Sequence, residues 1–205
     1  MRLLNKRAFE KKEPFRSASL FVIICEGEKR EPQYFEFFDG LTSKIKVRPI
    51  PSSEGKSAPV HLIENANEAE KKFEVVEDDD VWFVLDIDRW RDGIHVLQEE
   101  CRKKKNWNVA ISNPCFEVWL YYHFGQNPPN LQNPEACGNW KGLLPEINNG
   151  GFDSNRHPTL LENAIANSKK NFAENGYLPN IGSTQVFRLG ERILPFVKSL
   201  LAELR

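Results

Sequence analysis

Phe21-Val22-Ile23-Ile24-Cys25-Glu26-Gly27-Glu28 and Val81-Trp82-Phe83-Val84-Leu85-Asp86-Ile87-Asp88 are short apolar runs, and each ends abruptly in acids. Runs of β-branched and aromatic residues bounded by polar ones read as strands buried on both faces. In open α/β sheets, ligands bind beyond the carboxyl ends of such strands. Glu26 is therefore expected at the tip of one strand and Asp86 and Asp88 at the tip of another. Residues i and i+2 of an extended segment point the same way, so both aspartates can face one ion. Carboxylates that converge repel unless a cation sits between them, and hard oxygen ligands suit Mg²⁺ or Mn²⁺.

Working outward, the remaining elements alternate. Glu31 to Phe38 reads as a helix with Pro32 in its first turn, and Ile45 to Ile50 as a weaker strand. Val60 to Val75 carries apolar residues near a 3.6 period, and Ile94 to Lys105 is a further helix with a basic end. Trp107 to Ile111 makes a fourth strand. The alternation predicts an α/β fold: a mainly parallel sheet of about four strands flanked by helices. From Pro114 the character changes. An aromatic-rich helix over Cys115 to Phe124 is followed by an Asn-, Pro- and Gly-rich stretch with a short helix near Trp140. Helices over Pro158 to Phe172 and Thr184 to Leu204 close a helical C-terminal extension, with a kink expected at Pro195. The expected organisation is a basic arm over 1–16 and one domain over 17–205, its core about 17–124 and its extension about 125–205.

The chain holds 28 basic and 29 acidic side chains, a formal charge of -1, so any phosphate-binding surface must be local. The four cysteines, Cys25, Cys101, Cys115 and Cys137, lack Cys-x-x-Cys spacing, which favours neither zinc nor a disulfide framework. A reducing, cytoplasmic compartment is expected. No apolar stretch approaches ~20 residues, so no membrane span is expected, and the start lacks the apolar core of a signal peptide. Gly55-Lys56-Ser57 is no P-loop, because Ile50 stands where that motif needs glycine. Asp78-Asp79-Asp80 precedes its strand and reads as a solvated turn.

Asn113-Pro114-Cys115-Phe116-Glu117 is the third constellation. Asn113 as N-cap and Pro114 at the first helical position account for the opening. Glu117 is the only formally charged side chain between Lys105 and Glu135. It is either a helix-dipole acid or a fourth acid of the site, and the sequence leaves both open. His123, beside Phe124, reads as a packed side chain.

With these residues in view, the chain resembles the RloB-like family of bacterial proteins, which have a Toprim-like core. The resemblance rests on Cys25-Glu26-Gly27-Glu28-Lys29 with Glu31-Pro32-x-Tyr34-Phe35, on Asp86-Ile87-Asp88, on Ser112-Asn113-Pro114-Cys115-Phe116-Glu117-x-Trp119-Leu120, and on Glu162-Asn163-Ala164. The Toprim pattern, a glutamate after the first strand and Asp-x-Asp after the third, is shared by topoisomerases, bacterial primases, OLD-family nucleases and small ribonucleases. Glu26 matches its glutamate, and Asp86 with Asp88 its metal-binding pair. Arg89 matches the arginine that follows in topoisomerases. Ile87 and Trp90 depart from the usual Pro and Glu, which argues against strand passage or priming. The resemblance implies a metal-dependent nuclease with Mg²⁺ or Mn²⁺ at Glu26, Asp86 and Asp88, with Glu26 as either a metal ligand or a general acid or base, roles the sequence does not separate. RNA is favoured over DNA by analogy with compact Toprim ribonucleases. Lys29, Arg30 and Arg89 are the candidate phosphate contacts, and exposed aromatics would stack unpaired bases. It also implies a role in phage defence beside a companion ATPase-type protein of the same locus, with oligomerisation open. The rival is a non-catalytic Toprim-like module that binds nucleic acid or a partner.

Overall fold

The computed structural model describes residues 18–53, 57–87 and 93–205. The basic arm, Lys56, Asp88 and Arg89 lie outside them. Four strands, β1 (Ser19–Cys25), β2 (Ile45–Ile50), β3 (Asp80–Asp86) and β4 (Trp107–Ser112), form one sheet in the order β2-β1-β3-β4. Every pairing is parallel. Helices α1 (Arg30–Glu36), α2 (Pro59–Phe73) and α3 (Ile94–Arg102) connect the strands.

The two-sided burial expected of continuous apolar strands is observed residue by residue. Phe21, Ile23 and Cys25 of β1, with Trp82 and Val84 of β3, face one core with α1 and the C-terminal helices. Leu20, Val22 and Ile24, with Val81, Phe83 and Leu85, face a second core built on α2 and α3. A one-residue slip in register would exchange these two sets, so packing fixes which strand ends lie side by side.

Beyond β4 come α4 (Glu117–Tyr121), α5 (Cys137–Ile147), a 3₁₀ turn (His157–Leu160), α6 (Leu161–Lys170), a hairpin of β5 (Glu174–Asn175) and β6 (Leu178–Pro179), and α7 (Val186–Glu203). The helix expected over Cys115 to Phe124 is thus reduced to five residues. The helix expected from Pro158 opens as a 3₁₀ turn. α7 runs on past Pro195. It approaches α6 closely at Gly190, where a Cβ would stand 3.0 Å from Ile165.

Segment 182–185 covers the β4 edge. Gln185 N–H donates to the Ile111 carbonyl at 2.8 Å and Asn113 N–H to the Ser183 carbonyl at 3.0 Å. Ser112 and Thr184 form an isolated antiparallel bridge there. An edge left bare would be a template for unwanted pairing.

Three expectations need correction. Asn113 is not an N-cap: its side chain donates to the Pro179 carbonyl at 2.7 Å, its bond to Pro114 is cis, and α4 starts later. Asp79 and Asp80 are not a solvated turn. Asp79 accepts from Leu20 N–H at 3.1 Å and Val76 N–H at 2.9 Å, and Asp80 pairs with Arg192 at 2.9 Å. Asp79 satisfies backbone donors where β1 begins, and Asp80 ties the start of β3 to the guanidinium of Arg192. Finally, Cys115 and Cys137 are joined as a disulfide, with Cα atoms 5.7 Å apart, a span that such a bond bridges. Cys25 and Cys101 are buried free thiols.

Candidate functional site

β1 and β3 are neighbours, with Cys25 opposite Val84, so the residues that follow emerge together at the carboxyl edge. Glu26 N–H donates to the Val84 carbonyl at 2.9 Å. Asp86 N–H donates to Glu26 Oε2 at 2.7 Å. The Glu26 carboxylate is therefore oriented by the tip of the next strand. Its backbone carbonyl accepts from Ser52 Oγ, which ties in the loop after β2.

Gly27 leaves the space that the Glu31 carboxyl fills. A Cβ there would lie 2.0 Å from a carboxyl oxygen of Glu31, far inside van der Waals contact. The missing side chain lets α1 fold its Glu31 carboxyl back over the turn, where it is 6% exposed.

The opposite wall is made by α4 and α5. Glu117, 5% exposed, opens α4, and its Oε2 lies 3.7 Å from Cys137 Sγ at the start of α5. Between the walls lies a cavity of about 450 Å³ lined by Glu26, Glu31, Asp86, Glu117, Cys137 and Lys141. Lys29, in the exposed turn before α1, and Arg30, the exposed first residue of α1, also line it. Glu31 titrates above the ordinary glutamate range, chiefly because burial disfavours its charge and further because Glu117 is near; backbone amides of Glu31 and Gly27 pull the other way. Burial, with the neighbouring Glu31 charge, also pushes the Cys25 thiol well up, so Cys25 stays protonated and inert.

The structure thus brings Glu26, Asp86 and Glu117 to one cavity, with Lys29 and Arg30 beside them. Asp88 and Arg89 lie outside the described residues. Sequence reasoning gave Glu31 no place in the site, reading it as part of a helix and of the block that carries the family resemblance, and missed the Cys115–Cys137 pair. The signal for Glu31 was its place in the first helical turn behind a glycine. No local spacing marks the cysteines, which stand 22 residues apart. His123 is packed as expected: it is buried, with Nδ1 3.1 Å from the Trp119 carbonyl and Nε2 3.1 Å from the Tyr34 hydroxyl.

Fold and site together define a parallel α/β protein with an acid-lined cavity at the carboxyl edge of its sheet. Across residues 21–193 the sequence matches the RloB-like protein family, and the chain belongs to that family. No curated protein and no solved structure matches it.

Proposed function

We propose that this chain is a Toprim-type, metal-dependent nuclease that hydrolyses phosphodiesters, with RNA the favoured substrate. One observation carries the reading: Glu26 and Asp86, from adjacent parallel strands, meet in a cavity that also receives Glu31 and Glu117. So many acids around one space are stable together only with protons or cations between them. The donors are hard carboxylate oxygens, which fit Mg²⁺ or Mn²⁺. Glu26 and Asp86 would hold the ion, and Asp88 would join them by its place after β3. When bound, such a metal polarises the phosphate and activates water.

The chain's own groups supply the rest. The Asp86 amide holds one oxygen of Glu26, which favours a fixed ligand over a mobile proton carrier. Lys29 and Arg30 on one side, and Lys141 on the other, line the cavity and would meet phosphates flanking the scissile one. Arg89 is proposed for the same role from its sequence position. Among the described residues, no helix is long and apolar enough to cross a membrane. A cytoplasmic role in phage defence, with a companion ATPase-type protein of the same locus, is supported by the family resemblance alone.

The test is incubation of the purified chain with mixed RNA and DNA substrates, with Mg²⁺, with Mn²⁺ and with chelator. Cleavage that needs the metal is the expected result. Metal-dependent binding without cleavage would replace this reading with a non-catalytic module.

Glu117→Gln keeps the shape of the side chain and removes its charge. Because α4 spans only five residues, the dipole account of Glu117 is weak; a dipole role would cost about 0.3–1 kcal/mol of stability and leave cleavage alone. The expected result is a fall in turnover of about 10–100-fold, typical of a residue that orients a metal site, with little change in melting temperature. Unchanged cleavage would remove Glu117 from the site.

A further inference from the structure

We propose that Cys115 and Cys137 are a peroxide-reactive thiol pair whose oxidation clasps the wall of the carboxylate cavity. Only the identity of that cavity as the active site rests on the reading above. Cys137 is half-buried and lines the cavity, so an oxidant entering there meets its sulfur. It is the first residue of α5, and Lys141 lies one turn further along the same cavity wall. The helix start and Lys141 on the same wall favour the thiolate, the reactive form, while the Glu117 carboxylate 3.7 Å from the sulfur opposes it. Cys115 is fully buried behind it, with a Cα separation of 5.7 Å, in position to act as the resolving thiol.

The chemistry closes with a peroxide as oxidant. The Cys137 thiolate attacks one peroxide oxygen and the O–O bond breaks, leaving Cys137 sulfenic acid and hydroxide. The Cys115 thiol displaces the sulfenic hydroxyl, forming the S–S bond and, with its proton, water. Two thiols lose two electrons, and one peroxide becomes two waters. A dithiol reverses the step by exchange.

The mechanical consequence follows from the connection. Residues 122–136, which join α4 to α5, contain neither helix nor strand. Of α5, only Trp140 and Leu144 are buried. The disulfide fastens the first turn of α5 to the residues just before Glu117. Reduced, the helix start loses its covalent tie and keeps Trp140, which packs on Tyr121 and donates Nε1–H to the Pro134 carbonyl at 2.8 Å, so the wall is looser at Cys137.

The full-length protein is reduced, treated with hydrogen peroxide and compared with the untreated form. Labelling of the denatured protein with maleimide should fall from four thiols, the number in the sequence, to two, and peptide mapping should find Cys115 linked to Cys137. Backbone hydrogen exchange across residues 137–147 should slow severalfold in the oxidised form. Cys115→Ser should trap Cys137 as a dimedone adduct, and Cys137→Ser should abolish the exchange difference. Four thiols after peroxide, or equal exchange in both forms, would overturn the proposal. So would stoichiometric zinc that shields the reduced cysteines from peroxide, since Cys115, Glu117 and Cys137 place ligand atoms within 4.8 Å of one another. If the nuclease reading fails instead, cleavage is absent in both redox states while the thiol count still changes.

Discussion

Asp86→Asn is expected to abolish metal-dependent cleavage while leaving the fold intact. Asp86 ends β3 and is locked to Glu26 through its backbone amide, which the substitution keeps. What is lost is a carboxylate from the site at which a cation is held. Metal catalysis of this kind supplies several kcal/mol of transition-state stabilisation, so the rate should fall on the order of a thousandfold or more. A second readout is independent of activity. Mn²⁺ that binds the folded state alone should raise the melting temperature of the wild type, by about 2.7 kcal/mol of stability at a hundred times its dissociation constant. The variant should lose most of that rise. Without metal it should melt at the same temperature or higher, because one charge has left a cavity shared with Glu26, Glu31 and Glu117. Full cleavage and an undiminished Mn²⁺ effect in the variant would show Asp86 to be only the end of a strand.

The parts of this site that were legible from sequence share one property: they follow directly from strands buried on both faces. An apolar run such as Phe21 to Cys25 has one way to satisfy its backbone and both its side-chain faces, so the residue after it must lie at a sheet edge. That β1 lies beside β3 is supplied by the fold, whose sheet order is β2-β1-β3-β4. Glu31 was less legible because its role comes from a missing side chain at Gly27 and from a wall that arrives much later in the chain. The Cys115–Cys137 pair was illegible for the same reason in stronger form. Its partners are joined by the packing of α5, and α5 is placed by Trp140 and Leu144 rather than by any local pattern. Asp79 and Asp80 were misread because acids before a strand look like a turn. Their partners, Leu20 N–H and Arg192, are distant in sequence, and only the folded sheet supplies them.

His123 makes the second large prediction, an acid instability that belongs to the core. It is fully packed among Tyr34, Trp119 and Phe152. The neutral ring suits its two contacts: Nδ1–H donates to the Trp119 carbonyl, and Nε2 accepts from the Tyr34 hydroxyl. Burial, which disfavours the imidazolium, is the main reason its pKa falls from 6.5 to about 3. The half-buried His157 shifts in the same direction. For a histidine with a depressed folded pKa, the unfolded chain takes up a proton first as pH falls. Stability is therefore unaffected above about pH 6.5 and declines below it, by about 1.4 kcal/mol per pH unit for one group, until the folded pKa near 3 is reached. The full loss is on the order of 4–5 kcal/mol, comparable with the whole stability of many domains. His123→Gln removes the titration. It should be less stable than the wild type at pH 7, because it packs and bonds less well, and that gap should narrow steadily between pH 6.5 and pH 4. Denaturant unfolding of both proteins across that range measures the gap directly. A constant gap, or an NMR titration of His123 in the folded protein with a midpoint near 6.5, would show that the ring has access to water that its packing denies it.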